Sequence, residues 1–359
     1  MRNSARGLAG VACAGSLVLV MAGCGGDSGG GSESGSGSGS ASDGGRGAAP
    51  AGVVTKAKAA KLVDRYEKVN SQANEKSDPK LLSTVEGGAV FEQSKATYKM
   101  QKNWSRKEIT EYREPFVYVD REYYIPRKGT ADWFAVVAHS KNPGKRKGEF
   151  PGILIMEKQS DGDWKLVAGS YSETKWMPKF AKDKDGFAVP VSDPAKKTGP
   201  MAPEKLSDGL VELYTSQGST ASTGFADSET VTSVRAIPKE QNRLLSPHGE
   251  AKFSRGEPTH EEVHALKTAD GGLLSVFSTE IREHDRGTSA IASVNPSDSM
   301  QVYLGSASAM PSFFVDWLHQ TSAYIPPKTG KVRLLGTEYD MTDAKPGAGM
   351  NGDMPGTNT

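Results

Sequence analysis

Cysteine is almost absent. The 359-residue chain has two, Cys13 and Cys24, both close to its beginning. Beyond Cys24 there is no thiol. That excludes a disulfide framework, a cysteine-ligated zinc and a thiol nucleophile from the rest of the chain. Net charge is also scarce: 44 Lys+Arg stand against 43 Asp+Glu. A nucleic-acid binder needs a basic face, so nucleic acid is not an expected partner. Long apolar runs are missing too. The stretch Leu8–Ala22 is only about fifteen residues, short of the roughly 20 that a membrane-spanning helix needs.

That stretch is nonetheless informative. Arg2 and Arg6 precede it and small residues end it, which is the build of a secretory signal. Met21-Ala22-Gly23-Cys24 resembles the lipobox of bacterial lipoproteins, with Met21 where that family usually has Leu. The resemblance implies removal of residues 1–23 by signal peptidase II and acylation of Cys24 on its thiol and new amino group. The chain is then held by N-terminal lipid on the extracytoplasmic face of the cell membrane. Loss of Arg2 and Arg6 with the leader leaves 42 basic against 43 acidic side chains, a formal charge of −1.

Gly25–Pro50 is rich in Gly and Ser and has too little apolar content to pack. Residues 24–54 are expected to form a disordered tether with a reach of roughly 28 Å, from about 5–6 Å × √n. Its low complexity resembles that of actinobacterial lipoproteins.

The body reads as helices followed by strands, twice. Ala59, Leu62, Val63, Tyr66, Val69 and Ala73 recur at helical spacing. Asp78-Pro79 predicts a cap and a first-turn proline for a second helix near Leu81. Strands are predicted at Phe116–Val119 with Tyr123–Ile125, at Trp133–Val137, at Gly152–Glu157 and at Trp164–Val167. The last two are joined by the turn Ser160-Asp161-Gly162-Asp163. Four prolines in Ala188–Pro203 mark a boundary. Leu206, Leu210 and Tyr214 then mark a helix, another is expected at Glu229–Leu245, and strands are expected to follow at Val263–Thr268, Leu273–Thr279, Phe313–Leu318 and Val332–Leu335.

Thr130-Ala131-Asp132 is echoed by Thr268-Ala269-Asp270, and Trp164–Gly169 by Lys331–Gly336, in the same order. An α+β class follows. The element order resembles the nuclear-transport-factor-2-like (NTF2-like), cystatin-like folds of exported actinobacterial lipoproteins. That resemblance implies two tandem domains, 55–187 and 204–343, with a Pro-rich linker at 188–203 and a disordered tail at 344–359. In each domain helices pack on a curved antiparallel sheet around a cone-shaped cavity. Members of that superfamily include both enzymes and binders, so the fold alone assigns no activity.

His260-Glu261-Glu262-Val263-His264 matches H-E-x-x-H. On a helix it would hold zinc through His260 and His264, with Glu261 as general base and Glu283 as a third ligand. Glu262 is charged where such a helix is buried, and Thr268-Ala269-Asp270-Gly271-Gly272 allows a helix of only about ten residues. The internal repeat also maps the segment onto the strand at Glu122–Pro126. Strand residues four apart are about 13 Å apart, too far for two ligands at about 2.0–2.1 Å from one zinc. The conformation at Val263 decides between the two readings.

Four weaker patterns complete the set. Gly26-Asp27-Ser28-Gly29-Gly30 looks like a serine-hydrolase nucleophile motif but sits in the tether, with no strand before it. Asp183-Lys184-Asp185-Gly186 resembles part of a calcium loop, yet Ala181 and Ser192 occupy the key carboxylate positions; a solvated turn is expected. Lys145-Arg146-Lys147 reads as a solvated loop between strands. Tyr118, Tyr123, Tyr124 and Trp133 are candidates to line a cavity or to fill a sheet's core face. Apart from Cys24 as the lipid site, no catalytic, cofactor-binding or metal-ligating residue is assigned, and no cofactor is expected. The sequence favours a non-enzymatic envelope protein that binds a small molecule or another envelope protein. The alternative is the zinc hydrolase.

Overall fold

The computed structural model describes residues 50–174, 176–216, 224–305 and 308–347. The leader, the lipobox with Cys24, Gly26–Gly30 and the last twelve residues lie outside these. Of the expected tether, Pro50–Val54 are described, and they are not loose. The Val53 amide donates to Pro126 O at 2.9 Å and the Lys128 amide to Ala51 O at 2.9 Å.

The first half runs α1 (Lys56–Lys76), α2 (Pro79–Leu82), α3 (Gly88–Met100), α4 (Arg106–Tyr112), β1 (Val117–Tyr124), β2 (Trp133–Lys141), β3 (Gly152–Lys158) and β4 (Trp164–Tyr171). Its strands form an antiparallel meander in chain order. The second half runs α5 (Leu206–Thr215), α6 (Glu229–Leu245), β5 (Gly249–Arg255), β6 (Val263–Lys267), β7 (Leu273–Gly287), α7 (Asp298–Leu304), β8 (Ser312–Ile325) and β9 (Arg333–Pro346). Here β5 and β6 pair successive stretches of one edge of β7, followed by β8 and β9. The class is α+β, as the sequence indicated.

Local chemistry explains the element starts. Thr55 caps α1 by accepting from the Lys58 amide, and the Asp78 carboxylate accepts from the amides of Lys80 and Leu81, both at 3.0 Å. Ser105 and Glu108 form a reciprocal capping box on α4. The predicted turn at Ser160–Asp163 is present, with Gly162 at φ +90° and the Gln159 amide bonded to Asp163 O. β1 carries a bulge between Val119 and Glu122, where Arg121 turns back to α1. Its Nη1 and Nη2 each stand 2.6 Å from Asp64 and Glu67.

Three boundaries differ from the sequence expectation. β7, β8 and β9 run far past Thr279, Leu318 and Leu335, because their polar halves are zipped by cross-strand pairs such as Arg282–Asp316 at 2.7 Å. β9 carries the chain to Pro346, so the tail does not begin at 344. The proline-rich stretch after 187 is docked at its start: Val191 N donates to Ala265 O and Lys267 N to Val189 O, both at 2.9 Å. Residues 188–191 thus lie along the free edge of β6.

Alternation sets the layers. In the first sheet Phe134, Val136, Leu154 and Met156 face the helices, where Ala59, Val63, Tyr66 and Leu82 meet them. Ala135, Ile153 and Ile155 face the other way and pack on Leu266, Leu274, Val276 and Tyr324 of the second sheet. The second sheet's far face, with Phe277 and Ile281, is covered by Leu206, Leu210, Leu213 and Val231 from α5 and α6. The molecule is therefore helices, sheet, sheet, helices, with the two sheets back to back. Gly336 permits the closest approach: a Cβ there would stand 1.8 Å from Tyr171 O.

Candidate functional site

β6 places Val263 and His264 in an extended strand, so the helical face that H-E-x-x-H requires does not form. His260 lies before the strand, its amide donating to Glu280 Oε1 at 2.9 Å. His264 sits between the sheets, with Nε2 2.7 Å from Glu157 Oε2 and its ring edge-on to Trp133. Its strand partner on β7 is Val276. Glu283 is seven residues further along that strand, about 23 Å at roughly 3.3 Å per residue, and on the opposite face, where Trp317 Nε1 donates to it at 2.8 Å. The zinc-hydrolase alternative fails on this geometry. Among the described residues no three His, Cys, Asp or Glu side chains converge as metal ligands.

The calcium-like segment is a turn that accepts a guanidinium. Asp183 Oδ1 takes the amides of Asp185 and Phe187, while its Oδ2 stands 2.7 Å from Arg127 Nη2. In the loop between β2 and β3, Lys145 pairs with Glu114 and Lys147 with Asp120. The loop's charge is thus largely answered within the molecule.

The aromatic candidates divide. Tyr123 packs beside the first half's core. Tyr124 and Trp133 pack between the sheets. Tyr118 lines a cavity of about 70 Å³ between α1, α3, the first sheet and the second sheet's β8 and β9. A single water needs about 10–15 Å³ by such a measure, so several waters or a small ligand fit.

The rest of this cavity's wall is not legible in the sequence. α1 contributes a polar ladder at four-residue spacing: Asn74 Nδ2 donates to Asn70 Oδ1 at 2.8 Å, and Asn70 Nδ2 to Glu86 Oε1 at 3.0 Å. The Tyr66 hydroxyl also donates to Glu86 Oε1, at 3.1 Å. Glu86 is 1% exposed and is held rigidly, because the flanking backbone at Val85 and Gly87 pairs with Leu166. Its Oε2 has no hydrogen-bond partner. Burial lifts its pKa to about 7, with the nearby Ser94, Tyr66 and Asn70 groups pulling the other way.

The second half closes the cavity. Gln320 on β8 accepts the Gly169 amide at 2.8 Å and bonds Gln93 of α3, which itself donates to Leu318 O at 2.8 Å. Glu338 on β9 accepts the Tyr171 amide through Oε1 at 2.7 Å; its Oε2 has no partner. Asp340, two residues on, shares the same wall. Burial raises Glu338 to about 8 and Asp340 to about 7. Both side chains keep some accessible surface and both line the cavity; the surrounding protein desolvates them. The wall includes no Lys, Arg or His.

A second acidic pair, Glu283 and Asp285, is buried under α6. Gln241 Nε2 donates to Asp285 Oδ2 at 2.9 Å. Desolvation first, and then the neighbouring carboxylate, push Glu283 well above the usual range. Apolar and aromatic side chains fill that face.

Residues 50–346 match the family model described as "Domain of unknown function (DUF8094)". The chain belongs to this family. It is 26% identical over 304 residues to the uncharacterized lipoprotein SCO6871 of Streptomyces coelicolor, covering 82% of this chain and 83% of that protein. It is 31% identical over 171 residues to an uncharacterized lipoprotein of Streptomyces avermitilis, covering 46% of this chain and 47% of the other. Among the described residues no helix is long and apolar enough to cross a membrane.

Proposed function

We propose that this chain is a lipid-anchored envelope protein, acylated at Cys24, that binds a small molecule in the cavity between its halves and performs no chemistry on it. The lipobox-like Met21–Cys24 and the names of both relatives support the anchor. The reading includes two NTF2-like domains, 55–187 and 204–343. In its favour, helices precede an antiparallel meander in both halves, and the bulged β1 corresponds to the divided β5 and β6.

The observation that carries binding is the wall itself. Two buried carboxyl oxygens, Glu86 Oε2 and Glu338 Oε2, have no partner in a space large enough to supply one. Leaving such groups unpaired costs about 1–3 kcal/mol each, more when charged, a cost a stable fold does not carry without reason.

Native mass spectrometry on the full-length protein, extracted from its own membrane in mild detergent, tests the reading. A retained small molecule of fixed mass supports it. An empty protein that crosslinks stoichiometrically to one envelope protein overturns it in favour of docking. In parallel, Cys24→Ala is expected to move the protein from the membrane pellet to the soluble fraction; undiminished pelleting would refute acylation.

A further inference from the structure

The cavity's chemistry narrows the class of ligand, and this step rests on the binding proposal above. Three of its lining side chains are carboxylic acids, arriving from two places in the chain: Glu86 after α2, and Glu338 and Asp340 on β9. None of the lining residues carries a basic group. The acidic cluster alone would prove little, since many such clusters face solvent. Here Glu86 is 1% exposed and Glu338 Oε2 and Glu86 Oε2 are both without donors. What these two oxygens lack is a hydrogen-bond donor, and what the wall lacks is positive charge; a ligand that brings both answers the acids.

We infer that the cavity takes a small organic cation, a primary ammonium compound, whose N–H groups bond the free oxygens of Glu86 and Glu338. An ammonium has three donors, and charge-assisted bonds to carboxylates are roughly twice as strong as neutral ones. Tyr66 and Tyr118, whose rings stack at 6.3 Å, both line the cavity and place aromatic surface beside the acids. A metal ion suits the wall less well. Hard cations take six or more oxygens around one point, and no three metal-ligating side chains converge among the described residues. An anionic ligand would meet three acids and no base. At about 70 Å³ the cavity accepts only a few heavy atoms besides water.

The test uses the full-length protein in detergent micelles with ¹³C-labelled tyrosine, titrated separately with ethylammonium, acetamide, acetate and calcium chloride. Ethylammonium is expected to shift the Tyr66 and Tyr118 ring signals saturably, with the other three inert. Glu86→Gln, an isosteric change that removes the charge, is expected to weaken ethylammonium at least tenfold. Asp340→Asn serves as a second variant should Glu86→Gln fail to fold, with a weakening of at least threefold. Binding of acetamide or acetate in place of ethylammonium would overturn the cation while leaving the pocket intact. Calcium moving the same signals would overturn it in favour of a metal. Silence from all four, or full ethylammonium affinity in the folded variants, would overturn it as well. The mass retained by the native protein then judges the pocket separately.

Discussion

Glu338 shows what a single buried acid contributes. With its folded pKa near 8 against an ordinary 4.5, the native state binds the proton more tightly than the unfolded chain does. Its contribution to stability is therefore greatest below about pH 4.5 and is lost as pH rises toward 8. Glu338→Gln keeps the acceptor for the Tyr171 amide and removes the titration. The variant's melting midpoint is expected to match the native one near pH 4.5 and to exceed it by on the order of 5 °C near pH 8.5. Buried His319, held down near pH 3 by desolvation, destabilises in the opposite direction as pH falls below 6.5, but that effect is common to both proteins and cancels in the comparison. A pH-independent difference would show that Glu338 stays ionised. Gly336 offers a steric counterpart. An added methyl would meet Tyr171 O at 1.8 Å, so Gly336→Ala is expected to lose about 3 kcal/mol, read by urea denaturation. These residues were hard to see in the sequence. Glu338 and Asp340 alternate with Tyr339 and Met341, a pattern that reads equally as a solvated strand face. Only the packing of one half against the other turns that face inward.

Elements were more legible where local chemistry sets them. The helical spacing from Ala59 to Ala73 and the Asp78-Pro79 start are local signals, and α1 and α2 begin where those signals put them. Asp78→Ala is expected to cost about 1 kcal/mol, seen as a lower denaturation midpoint with unchanged slope; an unchanged midpoint would mean that α2 is held by packing alone. Helices α3, α4 and α7 are not among those the sequence predicts. Gly88 opens α3 at φ +54°, and glycine there argues against a helix on propensity alone; α4 and α7 are only seven residues each. The ends of β7–β9 are not legible in the sequence because Asp and Glu disfavour strands in isolation and are stabilised there by partners across the ladder. Val263 reads as strand on spacing and geometry that a motif match does not address, and the structure has it extended.

At the scale of the whole molecule, the back-to-back sheets make the two halves mutually dependent. Gly152–Met156 is apolar or small at every position, the mark of a strand buried on both faces, and its second face is completed by Leu274, Val276 and Tyr324 from the other half. Full-length protein is expected to melt in one cooperative transition, and residues 50–191 expressed alone to bind a hydrophobic dye such as ANS and to aggregate. A monodisperse, cooperatively melting fragment would show that the halves are separable units. The pairing of residues 51–53 with 126–128 has a mechanical consequence. A pull transmitted along the chain to Pro50 loads the Val53–Pro126 and Lys128–Ala51 hydrogen bonds before it loads α1. Those two bonds act as strain relief: tension on the N-terminal side is borne by the rim of the first sheet, while the helix that carries Tyr66 and Asn70 stays unstretched.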